Sequence, residues 1–275
     1  VSFLLRPLAI NPANVDPTLA LAGSPGGNLA DPQPRATWAI ATPAAPWVQA
    51  VIVDFGGDVF IDTIALLYHT GLGTGNWNAY SRTAAQGPFP NHYTTGGSTP
   101  LFTGQPWRVA PTVETPRVHA LYLLPAVQQL RYLDIIVEST ASTNANWSAG
   151  VLAVGQRFQP LNGFGQAGHD WGGGRRVSDL STVRVTDDGA RASWRKARVP
   201  EVRWSWSHLD ESELRTLWGQ LLTAGESGPL LFVEDPAETI GLQERIHYGT
   251  LAGLDFYERR QTEKSRIDLR LIQWL

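Results

Sequence analysis

Apolar and polar residues alternate from Trp47 to His69. Trp47, Gln49, Val51, Val53 and Phe55 fall on one side, and Val48, Ala50 and Ile52 on the other, which is the period of a β-strand. Both sides are largely apolar, a pattern that predicts a central strand covered on both faces. Gly56-Gly57-Asp58 predicts a turn, and residues 59–69 the next strand or strands. Segments 118–125, 130–139 and 150–158 have the same character. Short strands separated by Pro/Gly turns predict a sandwich or jelly roll.

Beyond residue 200 the period changes. Residues 201–209 alternate Val202, Trp204, Trp206 and His208 against Arg203, Ser205 and Ser207, predicting a strand. Leu214, Leu217, Trp218, Leu221 and Leu222 then recur at helical spacing and predict one amphipathic helix. Asp210 and Glu213 have the N-cap and N3 spacing of a capping box, and Gly225 fits a C-terminal stop. Strands are expected again at 228–236, within 244–260 and at 265–275. Trp204, Trp206 and Trp218 are expected in the core of this α+β unit. The overall expectation is a mainly β chain: a β-sandwich over residues 1–160, then a glycine-rich connector and a small α+β domain over 161–275.

Charge supports that division. There are seven basic and eight acidic residues up to residue 160, against 15 and 17 beyond it. The net charge of −3 gives no reason to expect nucleic acid as a partner. Cysteine is absent, which excludes disulfides, thiolate metal sites and a cysteine nucleophile. No apolar run approaches the roughly 20 residues a membrane span needs, so no membrane insertion is expected.

Two sets of motifs carry resemblances. Residues 28–39 (NLADPQPRATWA), 47–69 (WVQAVIVDFGGDVFIDTIALLYH) and 131–137 (RYLDIIV) resemble the discoidin-like, galactose-binding family, over roughly residues 25–158. Asp134 stands where that family usually has a basic residue, and the cysteine pair of its animal members is missing. Residues 149–160 (AGVLAVGQRFQP), together with the order of strand, LDESELRTLW helix and PLLFVEDP strand downstream, resemble tail structural proteins of tailed bacteriophages. The first resemblance implies a discoidin-like jelly roll with binding loops at one end. The second implies a tail-tip or baseplate component of a virion, with other tail proteins as partners in a symmetric homo-oligomer.

The residues themselves show no catalytic constellation. The six histidines include no pair at i, i+4, there is no G-x-S-x-G elbow, and GLGTGN (71–76) lacks the lysine of a phosphate loop. His169 beside Asp170 reads as a loop contact. Asp54, Asp58 and Asp62 read as turn and edge residues, and Glu234, Asp235 and Glu238 as a solvated corner. No catalytic residue, metal site or cofactor is therefore expected.

Residues 70–108 read as a long loop rich in aromatics and amides. Candidate ligand- or partner-binding residues there are Trp77, Asn78, Tyr80, Arg82, Asn91, His92, Tyr93 and Trp107. Rings beside amides suit a protein interface, the favoured reading, and after it stacking on and hydrogen bonding to a sugar. The expectation is a non-enzymatic tail component that also contacts host surface glycan. Its alternatives are a carbohydrate-binding receptor-recognition module and, behind that, a carbohydrate-active enzyme.

Overall fold

A computed structural model describes residues 2–18, 20–41, 46–70, 75–93, 95–106, 118–139, 146–161, 169–170, 173–185, 189, 191–194, 196–237, 241–253, 257–261 and 264–274. The first strands are β1 (Phe3–Leu5), β2 (Val15–Pro17), β3 (Trp38–Ile40), β4 (Trp47–His69), β5 (Gly75–Arg82), β6 (Thr99–Pro106), β7 (Val118–Ser139), β8 (Trp147–Ala149) and β9 (Val151–Gly155). After them come β10 (Arg157–Phe158), β11 (Gly174–Asp179), β12 (Thr182–Val185), β13 (Arg191–Trp194) and β14 (Arg198–Leu209). Helix α1 (Glu211–Ala224) precedes β15 (Leu230–Val233), β16 (Ile246–Leu251), β17 (Glu258–Gln261) and β18 (Lys264–Gln273). The protein is mainly β with antiparallel sheets, as the alternation predicts.

Two compact units result: Pro7–Arg157, and Val1–Arg6 together with Phe158–Leu275. Residues 1–6 therefore depart from the expected 1–160 domain. Phe3, Leu4 and Leu5 are fully buried and pair with Val233, Phe232 and Leu231 of β15. Without them the backbone groups along that edge of β15 would lack partners. A pairing across more than two hundred residues leaves no trace in local periodicity.

In the Pro7–Arg157 unit the main sheet runs β2-β4-β7-β5-β6, with β9 also on β4, while β3 and β8 form a separate ladder. The expected turn at Gly56-Gly57-Asp58 is absent, since the 23-residue β4 continues through it beside the 22-residue β7. The ladder is instead interrupted between Asp54↔Tyr132 and Val59↔Leu130, where residues 55–58 bulge opposite Arg131. Gly56 takes φ 79° there, a value strained for other residues. Arg131 grips Asp54 across the bulge through two bonds, Nε to Oδ1 at 2.9 Å and Nη2 to Oδ2 at 3.0 Å. Residues from both sides of the interruption share one core, Val51, Val53 and Ile135 with Ile61, Ile64 and Leu66. Trp38 and Trp147 of the β3–β8 ladder meet edge to face at 5.2 Å within it.

In the other unit the sheet runs β10-β1-β15-β16-β18-β14-β11, with β17 also on β18, and β12–β13 form a separate two-stranded arm. Helix α1 starts at the predicted cap: Asp210 Oδ1 accepts from Glu213 N at 2.8 Å, and Glu213 Oε2 accepts from Asp210 N at 3.0 Å. Gly225 follows the helix at φ 59°. Leu214, Leu217 and Leu221 pack with Trp204, Trp206, Leu269 and Leu271. Trp204 stacks on Phe232 with centroids 3.8 Å apart. Of the three tryptophans expected in this core, Trp204 and Trp206 are buried, and Trp218 is partly buried against the same cluster.

Candidate functional site

The expected long loop contains two strands, β5 and β6. β5 pairs with β7 from Gly75↔Ser139 to Arg82↔Tyr132, and β6 pairs with β5 on its other side. Trp77 is 2% exposed and meets Phe102 at 4.6 Å, inside the core. Asn78 is buried: its Oδ1 accepts from Gly104 N at 2.6 Å, and its Nδ2 lies 3.4 Å from Glu138 Oε1. Trp77 and Asn78 therefore stabilise the fold and present no binding surface, contrary to the sequence expectation. For Trp77 the physical reason is the alternation of Trp77, Ala79 and Ser81, which turns those side chains to the inner face of a paired strand, while Asn78, on the opposite face, is tied to Gly104 and Glu138 of the flanking strands. Trp107 lies outside the described residues.

Arg82 also acts internally. Its Nη1 donates to Pro88 O at 2.8 Å, a further bond goes to Gly96 O, and its guanidinium stands 5.1 Å from the Phe89 ring centroid. It thus fixes the segment between β5 and β6. Tyr80 is half-buried beside Asp134 in the register of β5 and β7. Of the eight expected residues, Asn91, His92 and Tyr93 are brought together, and they border a groove.

That groove has a volume of about 540 Å³. One wall is the Phe89–Tyr93 segment, and the other is Asp16, Thr18, Gln49 and Ile52 on and beside β2 and β4. β2 and β4 set the second wall by pairing Asp16 with Ile52. Thr18 closes that pairing, its N donating to Ala50 O at 2.8 Å and its hydroxyl to Gln49 Oε1 at 2.7 Å. Gln49 keeps its amide donors unengaged among the described residues. Tyr93 takes φ 65°, uncommon for a residue with a side chain, and its hydroxyl donates to Val48 O at 3.0 Å. The ring is thereby pinned by its far end while 46% of the residue stays exposed. His92 Nε2 lies 3.5 Å from Asp16 Oδ2, and its buried Nδ1 has no hydrogen-bond partner among the described residues.

Asp134 lies in register between Ile52 of β4 and Tyr80 of β5. It is fully buried, and neither carboxylate oxygen has a hydrogen-bond partner among the described residues. Burial pushes its pKa up to about 7. The sequence flagged Asp134 only as a departure from a family pattern. Nothing in the sequence links residues 16–18 to residues 89–93. A detectable signal was Gln49, a polar residue on an otherwise apolar strand face.

The other carboxylates considered from sequence have structural partners. Asp58 accepts from Ala84 N at 2.8 Å, Asp62 accepts from Arg157 N at 2.9 Å, and Asp170 from Ser205 Oγ at 3.1 Å. Glu234 is held by His247 and Arg175; although burial opposes it, those bonds bring its pKa down to about 2. Glu238 lies outside the described residues. Among the described residues no group of three His, Asp or Glu is placed to hold a metal ion. No described helix is long and apolar enough to cross a membrane.

No protein-family model and no curated protein matches the chain. Among solved structures it is similar to chitosan-binding module 1 of a chitosanase/glucanase from Paenibacillus sp. IK-5, at 15% identity and a TM-score of 0.39 over 54% of this chain and 97% of that one. Module 2 of the same enzyme, in complex with chitotriose, gives 18% identity and a TM-score of 0.39 over 54% and 98%. The family 32 carbohydrate-binding module of Clostridium perfringens NanJ, in complex with galactose, gives 13% identity and 0.37 over 56% and 98%. Likeness at this level assigns neither a family nor a ligand to this chain.

Proposed function

We propose that the Pro7–Arg157 unit is a non-catalytic carbohydrate-binding module of discoidin-like type, and that its ligand lies in the groove between Asp16–Thr18 and Phe89–Tyr93. One observation carries this reading: a pinned, half-exposed Tyr93 ring shares one groove with Asn91, His92, Asp16 and the free amide donors of Gln49. A pyranose offers an apolar face for a ring and a set of hydroxyls for such polar groups, and binding sites of this size combine apolar walls with a few placed polar contacts. Tyr93→Ala is expected to weaken saccharide binding roughly thirtyfold, the effect of losing about 2 kcal/mol at an aromatic anchor. Thermal stability should stay close to that of the parent. Glycan-array screening followed by calorimetry checks both. An array without hits, on folded protein, contradicts the proposal.

For the other unit we propose an assembly role in a virion, in a phage tail of the kind its sequence resembles, with further copies of this chain among its partners. Its support is apolar surface on and beside the β12–β13 arm, where Val185 and Trp194 are 64% and 54% exposed and Val177 and Leu180 lie bare nearby. Monomeric proteins rarely leave such patches uncovered. Light scattering across a concentration series is expected to show oligomers that Trp194→Glu abolishes. A chain that remains monomeric throughout contradicts this role.

A further inference from the structure

On β14, Val202, Trp204 and Trp206 enter the core, so Glu201 and Arg203 stand on the opposite sheet face. Register brings Gly174 of β11 and Arg270 of β18 to either side of Arg203, and Arg176 beside Glu201. These residues line a cavity of about 320 Å³.

Glu201 works as a buried bracket. It is 6% exposed and accepts from Arg176 Nε at 2.9 Å, from Arg270 Nε at 2.6 Å and from the Ser178 hydroxyl. Both guanidiniums spend their Nε and Nη2 edges on Glu201 and keep Nη1 unengaged among the described residues. Arg203, between them, has no hydrogen-bond or ion-pair partner among the described residues. Opposite it, a side chain at Gly174 would meet nothing within 4 Å, so the approach to Arg203 is open. Three cations thus surround one carboxylate whose acceptor capacity is already taken. Nearby Arg175 is neutralised by a bidentate pair with Glu234.

We infer that this cavity binds a tetrahedral oxyanion of the phosphate or sulfate class, held chiefly by Arg203 and flanked by the Nη1 donors of Arg176 and Arg270. Guanidinium forks match such oxygens in geometry and stay charged at every physiological pH. The anion can be free in solution or an ester group on a saccharide. The inference is independent of the groove near Tyr93.

The test is calorimetric titration of the full chain with inorganic phosphate and, separately, with a sulfated oligosaccharide. Saturable binding is expected, weakened about tenfold to a hundredfold in Arg203→Ala, the loss typical of a charged hydrogen-bonding partner. Arg203→Lys, which keeps the charge but loses the fork, should fall between. Arg203 is exposed and unpaired, so an unchanged melting temperature confirms that the variants fold. Tighter binding of the oligosaccharide identifies an ester as the source, and comparable binding of phosphate identifies the free anion. Absence of saturable binding by both probes, or binding that Arg203→Ala leaves unaltered, overturns the inference.

Discussion

Replacing Trp77 with alanine is expected to destabilise the Pro7–Arg157 unit by about 3–5 kcal/mol, the usual cost of emptying a core site of a large ring. Trp77 is 2% exposed, and its partner Phe102 in turn contacts Tyr122 at 4.1 Å, so the vacated volume cannot be filled by one small movement. Urea unfolding followed at several wavelengths measures the loss. The molecules that remain folded should bind saccharide as the parent does, because Trp77 does not line the groove. A Trp77→Ala protein with parental stability and no binding would show that the ring faces ligand, and would contradict the strand placement.

The second large effect concerns Asp134. Its folded pKa, raised to about 7 from 3.8, means that the folded state holds a proton the unfolded state has released between pH 4 and pH 7. Stability therefore falls as pH rises through that window and stays reduced above it. The displacement corresponds to about 4 kcal/mol. His69 acts in the opposite sense: burial, helped by nearby His119, pushes its pKa down to about 3, so stability is lost as pH falls below about 6.5. The two trends offset each other between pH 4 and 6.5. Asp134→Asn is expected to be more stable than the parent at pH 8 by up to about 4 kcal/mol, with the gain shrinking towards pH 4. Its own stability should then fall on acidification, exposing the His69 contribution. Unfolding curves at pH 5 and pH 8 suffice. An Asp134→Asn protein no more stable than the parent at pH 8 refutes an unpaired buried carboxylate.

What the sequence made legible follows the range of the forces involved. Helix α1 and its Asp210–Glu213 cap were readable because every determinant lies within one short stretch. The strand character of β4, β7 and β14 was readable because alternation is local. The union of β1 with β15 was hidden, since an apolar run such as Phe3–Leu5 suits any uncovered edge. Residues 75–82 were misread because their glycine and asparagines suggest a loop, while the Trp77, Ala79, Ser81 alternation acquires meaning only beside β7. The candidate groove was half visible. Asn91, His92 and Tyr93 stood out by chemistry, whereas Asp16, Thr18, Gln49 and Ile52 joined them only through strand pairing.

The most direct test of the carbohydrate reading is a nuclear magnetic resonance titration of the isotope-labelled chain with saccharides found by array. Shift changes are expected to concentrate at Asp16, Thr18, Gln49 and residues 89–93, and to vanish in Tyr93→Ala. Changes centred elsewhere in the Pro7–Arg157 unit, or no changes with any saccharide, would contradict the assignment of the groove.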